Sequence, residues 1–457
     1  MIHSLTTGKG FPTVLRFSLP LILGAFIHQI YSVTDSLIVG NVLGSQALGA
    51  VGTTGSCLFF MFSLNSGLSN GCSVVIAQSL GSDSEERVKV SLVSTIYYTL
   101  VCTVAISAVG CIGAKPLLRL LQTPEDILPM AAVYLRICAG AAFGQILYTN
   151  MSAVLHAFGD SRTPLVFLIL CTLLNVALDF LFVAVFSMGV AGAAVATVLA
   201  QLISGVLCLA YAIGKYPVFR VRRQDMKPSF ENIREIAGIG IPMAVQSSVL
   251  SVGDMIVTGI INSYGTAMVA AYAAASRIHQ FCVIPFLQFA MAFCTFAAQN
   301  IGAGLAKRIR QTMRTASVFV IVTSLTLGLV MRIFRLALLG FFVSPEDALA
   351  AEVMQIGGDF LAIVPMFYPF LALIWLYNYM LRGVGESHIP MVSCAIELGA
   401  KIAMPLLLGK EYGHVGVWLG YPMCWILGWI PSLICYLQGG WQERYKKGHA
   451  EVPESAG

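Results

Sequence analysis

Asp35, Asn175, Asp179 and Thr197 carry oxygen atoms in stretches otherwise made mostly of Val, Leu, Ile, Phe and Ala. Inside hydrocarbon an ionisable side chain costs roughly 2.5–3.5 kcal/mol on insertion scales, so each one needs a partner or a task. Asn175 and Asp179 are four residues apart and share one helix face. Asp35 lies five residues from the outer end of its apolar run, Asp179 about seven from the end of its own, and Thr197 about eight into the next. At 1.5 Å per residue these depths are all roughly 8–12 Å below one surface, with Asn175 a turn deeper. Four such groups can converge on one cation. Sodium takes several hard oxygen ligands, whereas a proton needs only a carboxylate made basic by burial or by a second carboxylate. The alternative is that each polar group separately ties helices together.

A second set of polar residues follows in the other half of the chain. Asp254 and Arg277 fall roughly 12 and 15 Å deep in consecutive apolar runs, which predicts a structural ion pair and competes with a cation-binding role for Asp254. Gln29, Gln246, Tyr272, Gln280, Gln288 and Asn378, with the apolar surroundings of Met291 and Phe293, could line a cleft for amphipathic cations or serve only as packing contacts. His28 lies two turns before Asp35 on the same face, and Pro20 and Pro242 can kink the helices that carry them.

The elements that hold these residues are legible in the composition. The chain has 457 residues, 57% hydrophobic and only 11% charged, where a soluble protein carries roughly 25% charged residues. Long unbroken apolar runs, rather than alternating dyads, exclude a membrane barrel and predict an all-α integral membrane protein. Candidate spans run 13–40, 46–77, 92–113, 128–150, 164–186 and 189–212, then 236–262, 267–297, 316–342, 349–377, 389–408 and 415–437. The expected organisation is therefore a first lobe (1–214), a basic cytoplasmic linker (215–235), a second lobe (236–440) and a cytoplasmic tail (441–457). With the N-terminus inside, 19 Lys and Arg residues fall on inner segments and five on outer ones, so both termini are expected in the cytoplasm. That placement accounts for the net charge of +5 without a nucleic-acid partner.

The second half repeats the first. Gln78 to Gly81, with Arg87 and Lys89 beyond, recurs as Gln299 to Gly302 with Arg308 and Arg310; Pro124-Glu125-Asp126 recurs 221 residues later as Pro345-Glu346-Asp347. After a small insertion, Gly159-Asp160-Ser161 with Pro164 recurs as Gly385-Glu386-Ser387 with Pro390. Six spans per half is even, so the halves form parallel repeats, two six-helix bundles expected to enclose a central cleft. The 12 cysteines show no zinc spacing and read as small apolar residues; no bound metal beyond a possible Na⁺ and no cofactor is expected. The start of the chain reads as a retained first span rather than a cleaved signal. No phosphate-binding loop is present. Gly67-Leu68-Ser69-Asn70-Gly71 fits G-x-S-x-G, yet it lies in an apolar helix where small residues serve close contact, so an intramembrane serine hydrolase is a remote alternative and no enzyme is expected.

Pro20 followed by Asp35, Asn175-Val176-Ala177-Leu178-Asp179, and Ala298-Gln299-Asn300-Ile301-Gly302 ahead of basic residues, in this order, resemble the multidrug and toxic compound extrusion (MATE) family over residues 11–437. The resemblance implies a secondary antiporter of prokaryotic type in a bacterial inner membrane, exporting amphipathic organic cations by alternating access in exchange for inward Na⁺ or H⁺. It carries the ion ligands onto Asp35, Asn175, Asp179 and Thr197, and places Tyr134 beside them. Some members use acidic residues of the second lobe; here Asp254 is expected to be occupied by Arg277 and Asp359 falls near the outer end of its span, so an independent second-lobe ion site is not expected. Partners implied are small organic molecules and the bilayer, with a functional monomer. A related class flips lipid-linked sugars; only Arg136, Arg277 and Lys401 lie within spans, which favours cationic or neutral cargo.

Overall fold

The computed structural model describes residues 5–120, 123–220, 226, 227, 229–343, 346 and 348–442; the side chains of Asp35 and of seven neighbours on the first two helices lie outside the described residues, as do Pro345 and Asp347. The described residues form helices and no strand. The helices are α1 (Gly10–Leu43), α2 (Ser45–Gly81), α3 (Glu85–Leu120), α4 (Leu128–Gly140), α5 (Ala142–Ala157), α6 (Arg162–Asp179), α7 (Gly189–Lys215), α8 (Phe230–Asn262), α9 (Thr266–Gly302), α10 (Ala306–Leu339), α11 (Ala350–Ile363), α12 (Tyr368–Gly383) and α13 (His388–Gln438).

Ten helical segments are long and apolar enough to cross a membrane, and α4 with α5, bent by 48° at their break, makes eleven. The 51-residue α13 is too long for one crossing of a core about 30 Å thick. Gly413 inside it has φ 58° and ψ −138°, a conformation open to glycine. Residues on its two sides meet in antiparallel register: a Cβ on Gly416 would stand 2.1 Å from the Leu408 carbonyl oxygen and one on Gly420 2.6 Å from Pro405 Cγ, and the Ser393 and Ser432 hydroxyls bond at 2.7 Å. Thus α13 is a hairpin of two spans, and the apolar crossings number twelve among the described residues.

The repeat is visible in the helices themselves. α2 and α9 each have 37 residues and start 221 apart, each behind one left-handed glycine, Gly44 (φ 85°) and Gly265 (φ 99°). α4 and α11 start 222 apart, but α5 and α12 start 226 apart, as do α6 and α13. The insertion is therefore the 3-10 turn Val364–Phe367, which stands where the first half has only Ala141 between its two helices.

The chain forms two compact units, one of Leu19–Val245 and one of Leu5–Ser18 with Gln246 and the residues beyond it. They divide within α1 and α8, close to Pro20 and Pro242, rather than at the basic linker. Local packing explains this. In the second unit the Leu5 amide donates to Gln299 at 2.8 Å, and Arg308 donates to the carbonyls of Leu5, Thr7 and Gly8. In the first unit a Cβ on Gly67 would stand 2.4 Å from the Ala244 nitrogen, and one on Gly71 2.6 Å from Gly240 Cα, so these glycines let α2 and α8 touch backbone to backbone. α7 buries Ala196, Ala200, Ser204, Cys208 and Ala212, one small residue per turn. Beside that stripe α5 packs closely, where a Cβ on Gly205 would stand 3.0 Å from the Tyr148 nitrogen and one on Gly144 3.0 Å from Leu202.

Candidate functional site

In the first unit α6 buries Cys171, Asn175 and Asp179, a stripe in steps of four along an otherwise lipid-compatible helix. Asn175 and Asp179 are fully buried. Asn175 Nδ2 donates to Thr197 Oγ1 at 3.3 Å, tying α6 to α7. That leaves Asn175 Oδ1 buried with no hydrogen-bond partner among the described residues. Directly after Asp179 the helix widens into a π-helical turn, Phe180–Val185, a distortion common at functional sites. About one turn further along the helices, Val39 of α1, Val183, Ala193 of α7 and Tyr134 of α4 pack into one cluster. Val39 follows Asp35 by a turn, Val183 follows Asp179, and Ala193 precedes Thr197, so the helices that meet in this cluster are those that carry the polar positions. The structure thus brings Asn175, Asp179 and Thr197 together with Tyr134 beside them; Asp35 sits on α1, its side chain outside the described residues.

An amide oxygen, a carboxylate and a hydroxyl form a hard-oxygen donor set suited to a small monovalent cation or a proton. Among the described residues no group of three or more His, Cys, Asp and Glu side chains could hold a metal ion.

The second unit is arranged differently. Asp254 pairs with Lys401 of α13, not with Arg277. Arg277 is exposed and forms no ion pair among the described residues. The expected pair failed because depth along a helix says nothing of direction around it: α9 turns Arg277 outward, whereas α13 holds Lys401 inward at 12% exposure. Glu397, one turn before Lys401, is also buried. Sequence reading passed over this pair, although two charged residues four apart in an apolar span are the same signal that marked Asn175 and Asp179. The Tyr272 hydroxyl bonds that of Tyr421 at 2.9 Å, and its ring stacks on Trp418.

The remaining cleft candidates scatter. Gln246 is buried and spent, donating to the Pro390 carbonyl at 3.3 Å and accepting from Arg382, so it ties α8 to α12 and α13 rather than facing substrate. Asn378 accepts from Ser432. Gln280 is exposed, and Gln29 and Gln288 are half-buried. Asp359 pairs with His414 at 2.9 Å, next to the Gly413 turn. Ser69 donates to Asn150 and to the Asn65 carbonyl within α2, which makes the G-x-S-x-G match a helix contact.

Below the first bundle, outside the spans, Asp160 gathers four donors: Lys215 Nζ at 2.8 Å, the Tyr216 hydroxyl at 3.2 Å, and the Thr163 amide and hydroxyl at 3.1 and 2.8 Å. Burial pushes its carboxyl toward the neutral form, but Lys215 and Thr163 outweigh that and hold its pKa below the usual carboxylate value. Glu386, its counterpart in the second half, accepts from the His388 amide at 3.1 Å.

Two bundles with matching helix lengths, one polar site in the first, and proline near the start of each half describe a duplicated transporter fold. The MatE family model matches residues 20–181 and 242–407, one stretch in each half. The chain belongs to the MATE family. Members of this family are multi-pass membrane transporters, not enzymes. The probable multidrug resistance protein YpnP of Bacillus subtilis is 30% identical over 96% of this chain and 98% of its own length. A MATE crystal structure in the bent conformation shares the fold with a TM-score of 0.87 at 21% identity, covering 97% of this chain and 98% of that one. A mutant of the Vibrio cholerae MATE transporter VcmN does so with a TM-score of 0.86 at 23% identity, covering 95% and 97%.

Proposed function

We propose that this MATE protein is a secondary antiporter that exports amphipathic organic cations in exchange for an inward Na⁺ or H⁺ bound in the first unit. The observation that supports it is Asn175: its amide nitrogen is committed to Thr197 while its oxygen is buried without a partner among the described residues, one turn from the buried Asp179. A buried acceptor left unmade costs roughly 1–3 kcal/mol, a penalty that a cation held by Asn175 Oδ1, Asp179, Thr197 and Asp35 would remove. The name of the relative YpnP, a probable multidrug resistance protein, supports the cargo class. The bias of basic residues supports cytoplasmic termini in a bacterial inner membrane, and two fused halves support a functional monomer.

Ion and drug must prefer different conformations, because a ligand with equal affinity for both shifts nothing. The membrane potential contributes about 2.3 kcal/mol per inward charge per 100 mV, and this drives export only if ion entry is tied to drug exit. In the exchange, ion uptake at Asp179 repacks α6 against α7 through Asn175 and Thr197, and the repacking lowers affinity for the drug. The π-helical turn after Asp179 is where such repacking meets least resistance, because its hydrogen bonds are already outside the α-helical ladder.

The test is ethidium efflux from reconstituted vesicles under an imposed Na⁺ gradient and separately a pH gradient, for the native chain, Asp35→Asn and Asp179→Asn. Flux driven by one gradient and lost in both variants supports the reading and names the ion. Flux surviving in both variants moves coupling out of the first unit. No flux under either gradient turns the reading toward a lipid-linked saccharide flippase.

A further inference from the structure

The second unit carries a cation of its own. Because α6 and the first arm of α13 start 226 residues apart, Lys401 stands at the repeat position of Asn175, and Glu397 at that of Cys171. Where the first unit leaves a buried acceptor open, the second sets an ammonium. Lys401 Nζ donates to Asp254 and lies 6.0 Å from the Tyr421 ring centre. The two partners differ in exposure: Lys401 is 12% exposed and Asp254 59%. The lysine is covered while most of the carboxylate it neutralises stays open.

An open carboxylate beside aromatic faces is the chemistry that holds organic cations. Here the faces are Tyr421, under Lys401, and Tyr272, whose hydroxyl bonds that of Tyr421. Glu397 is 7% exposed and makes no hydrogen bond among the described residues. It stands on the same face of α13 as Lys401 one turn away, where side chains at this spacing sit about 5–6 Å apart at Cβ. The lysine can reach it by changing rotamer alone. Arg382, the other buried cation nearby, is held by Gln246 and by the Tyr379 ring.

We infer that an organic cation binds at Asp254 by displacing Lys401, whose ammonium then moves to Glu397. The inference rests on the export of organic cations proposed above. With Glu397 ionised, the three groups carry one net negative charge and the incoming cation neutralises them; with Glu397 protonated, the arriving ammonium displaces its proton to solvent, and in either case each carboxylate ends paired with a cation. Lys401 acts as a tethered competitor: a molecule too weakly charged or too poorly shaped to oust it does not bind.

The test is ethidium binding to the detergent-purified full-length chain, read by fluorescence anisotropy at fixed pH and salt. Removing the competitor in Lys401→Met tightens binding about tenfold, and removing its second seat in Glu397→Gln weakens binding about tenfold. In the Lys401→Met background Glu397→Gln weakens binding less than threefold, because no ammonium needs a seat; this coupling separates displacement from a general field effect. Lys401→Gln has the same expected direction and replaces Lys401→Met if that variant is not monodisperse. Unchanged or weaker binding on loss of Lys401, or an equal effect of Glu397→Gln in both backgrounds, overturns the inference. Vesicle efflux keeps the two readings apart: these binding shifts without any native export overturn the export reading alone, and native export without the shifts overturns the displacement alone.

Discussion

At one repeat position the first unit has Asn175 and the second has Lys401, and nearly everything that differs between the two sites follows from that pair. Asn175 ties α6 to α7 with its nitrogen and leaves its oxygen buried and open. Lys401 fills the corresponding space with positive charge and takes Asp254 as its partner. Duplicated bundles with helices of similar length thus present opposite electrostatic problems. One unit holds a buried acceptor without a partner among the described residues, and the other a buried ammonium paired with a carboxylate. If the proposals above hold, the labour of binding ion and drug is divided without a difference in fold, by one amide in place of one ammonium.

The contrast is sharpest in transport. Asp179→Asn is expected to lower gradient-driven ethidium flux at least a hundredfold while shifting equilibrium ethidium affinity less than threefold. Asp254→Asn should do the reverse, weakening affinity about tenfold and leaving flux at saturating ethidium within about threefold of native. These two signatures follow from whether the lost contact serves the driving step or the binding step. If both variants lose flux and affinity together, the two units do not divide the work.

Packing gives the next largest difference. Gly416→Ala forces a Cβ to within 2.1 Å of the Leu408 carbonyl oxygen, inside the second-unit hairpin. It should lower stability by about 2–3 kcal/mol, read as a fall in the thermal midpoint of the detergent-solubilised chain. Gly214→Ala on α7 meets nothing within 4 Å and should be neutral or slightly stabilising.

The loop after α5 offers a test outside the spans. Asp160→Asn breaks a buried, four-donor carboxylate and is expected to cost about 2 kcal/mol at pH 7. The folded pKa of Asp160 lies below its ordinary value of 3.8. Its contribution is therefore complete above about pH 4 and is lost as pH falls through the folded pKa. The gap between thermal melts of native and Asp160→Asn protein should start to narrow below about pH 4 and close as pH falls past the folded pKa; a gap that does not narrow as the medium is acidified would deny the charge its role. The smallest effect belongs to Thr197→Val, which removes one ligand and one hydrogen bond worth about 1 kcal/mol. It should raise the ion concentration for half-maximal flux about fivefold.

Much of this was legible in the residues themselves. Twelve apolar runs became twelve crossings, and the gap left between the eleventh and twelfth runs contains Gly413, where α13 reverses. The shared buried face of Asn175 and Asp179 was legible from their spacing of four, and the contact of Asn175 with Thr197 from their similar depth. What failed was rotation about the axis. Arg277 and Asp254 match in depth, but their helices turn them apart, and the true partner came from a helix 147 residues away. Gln246 failed for a related reason: a glutamine in an apolar run looks equally free whether or not an arginine such as Arg382 waits across the bundle. The insertion was legible as a change of register, while its position within a broken span was not, because a four-residue 3-10 turn carries no charge or composition signal.

Three of the turns on the side where α1 ends are short. Gly44 alone joins α1 to α2, Gly413 alone folds α13, and Ser263 to Gly265 joins α8 to α9. On that side a protease, a glycosylating enzyme or an antibody finds little strand-like backbone to grip at these turns. With the cytoplasmic termini proposed above, these three turns would offer little purchase to anything acting from outside the cell.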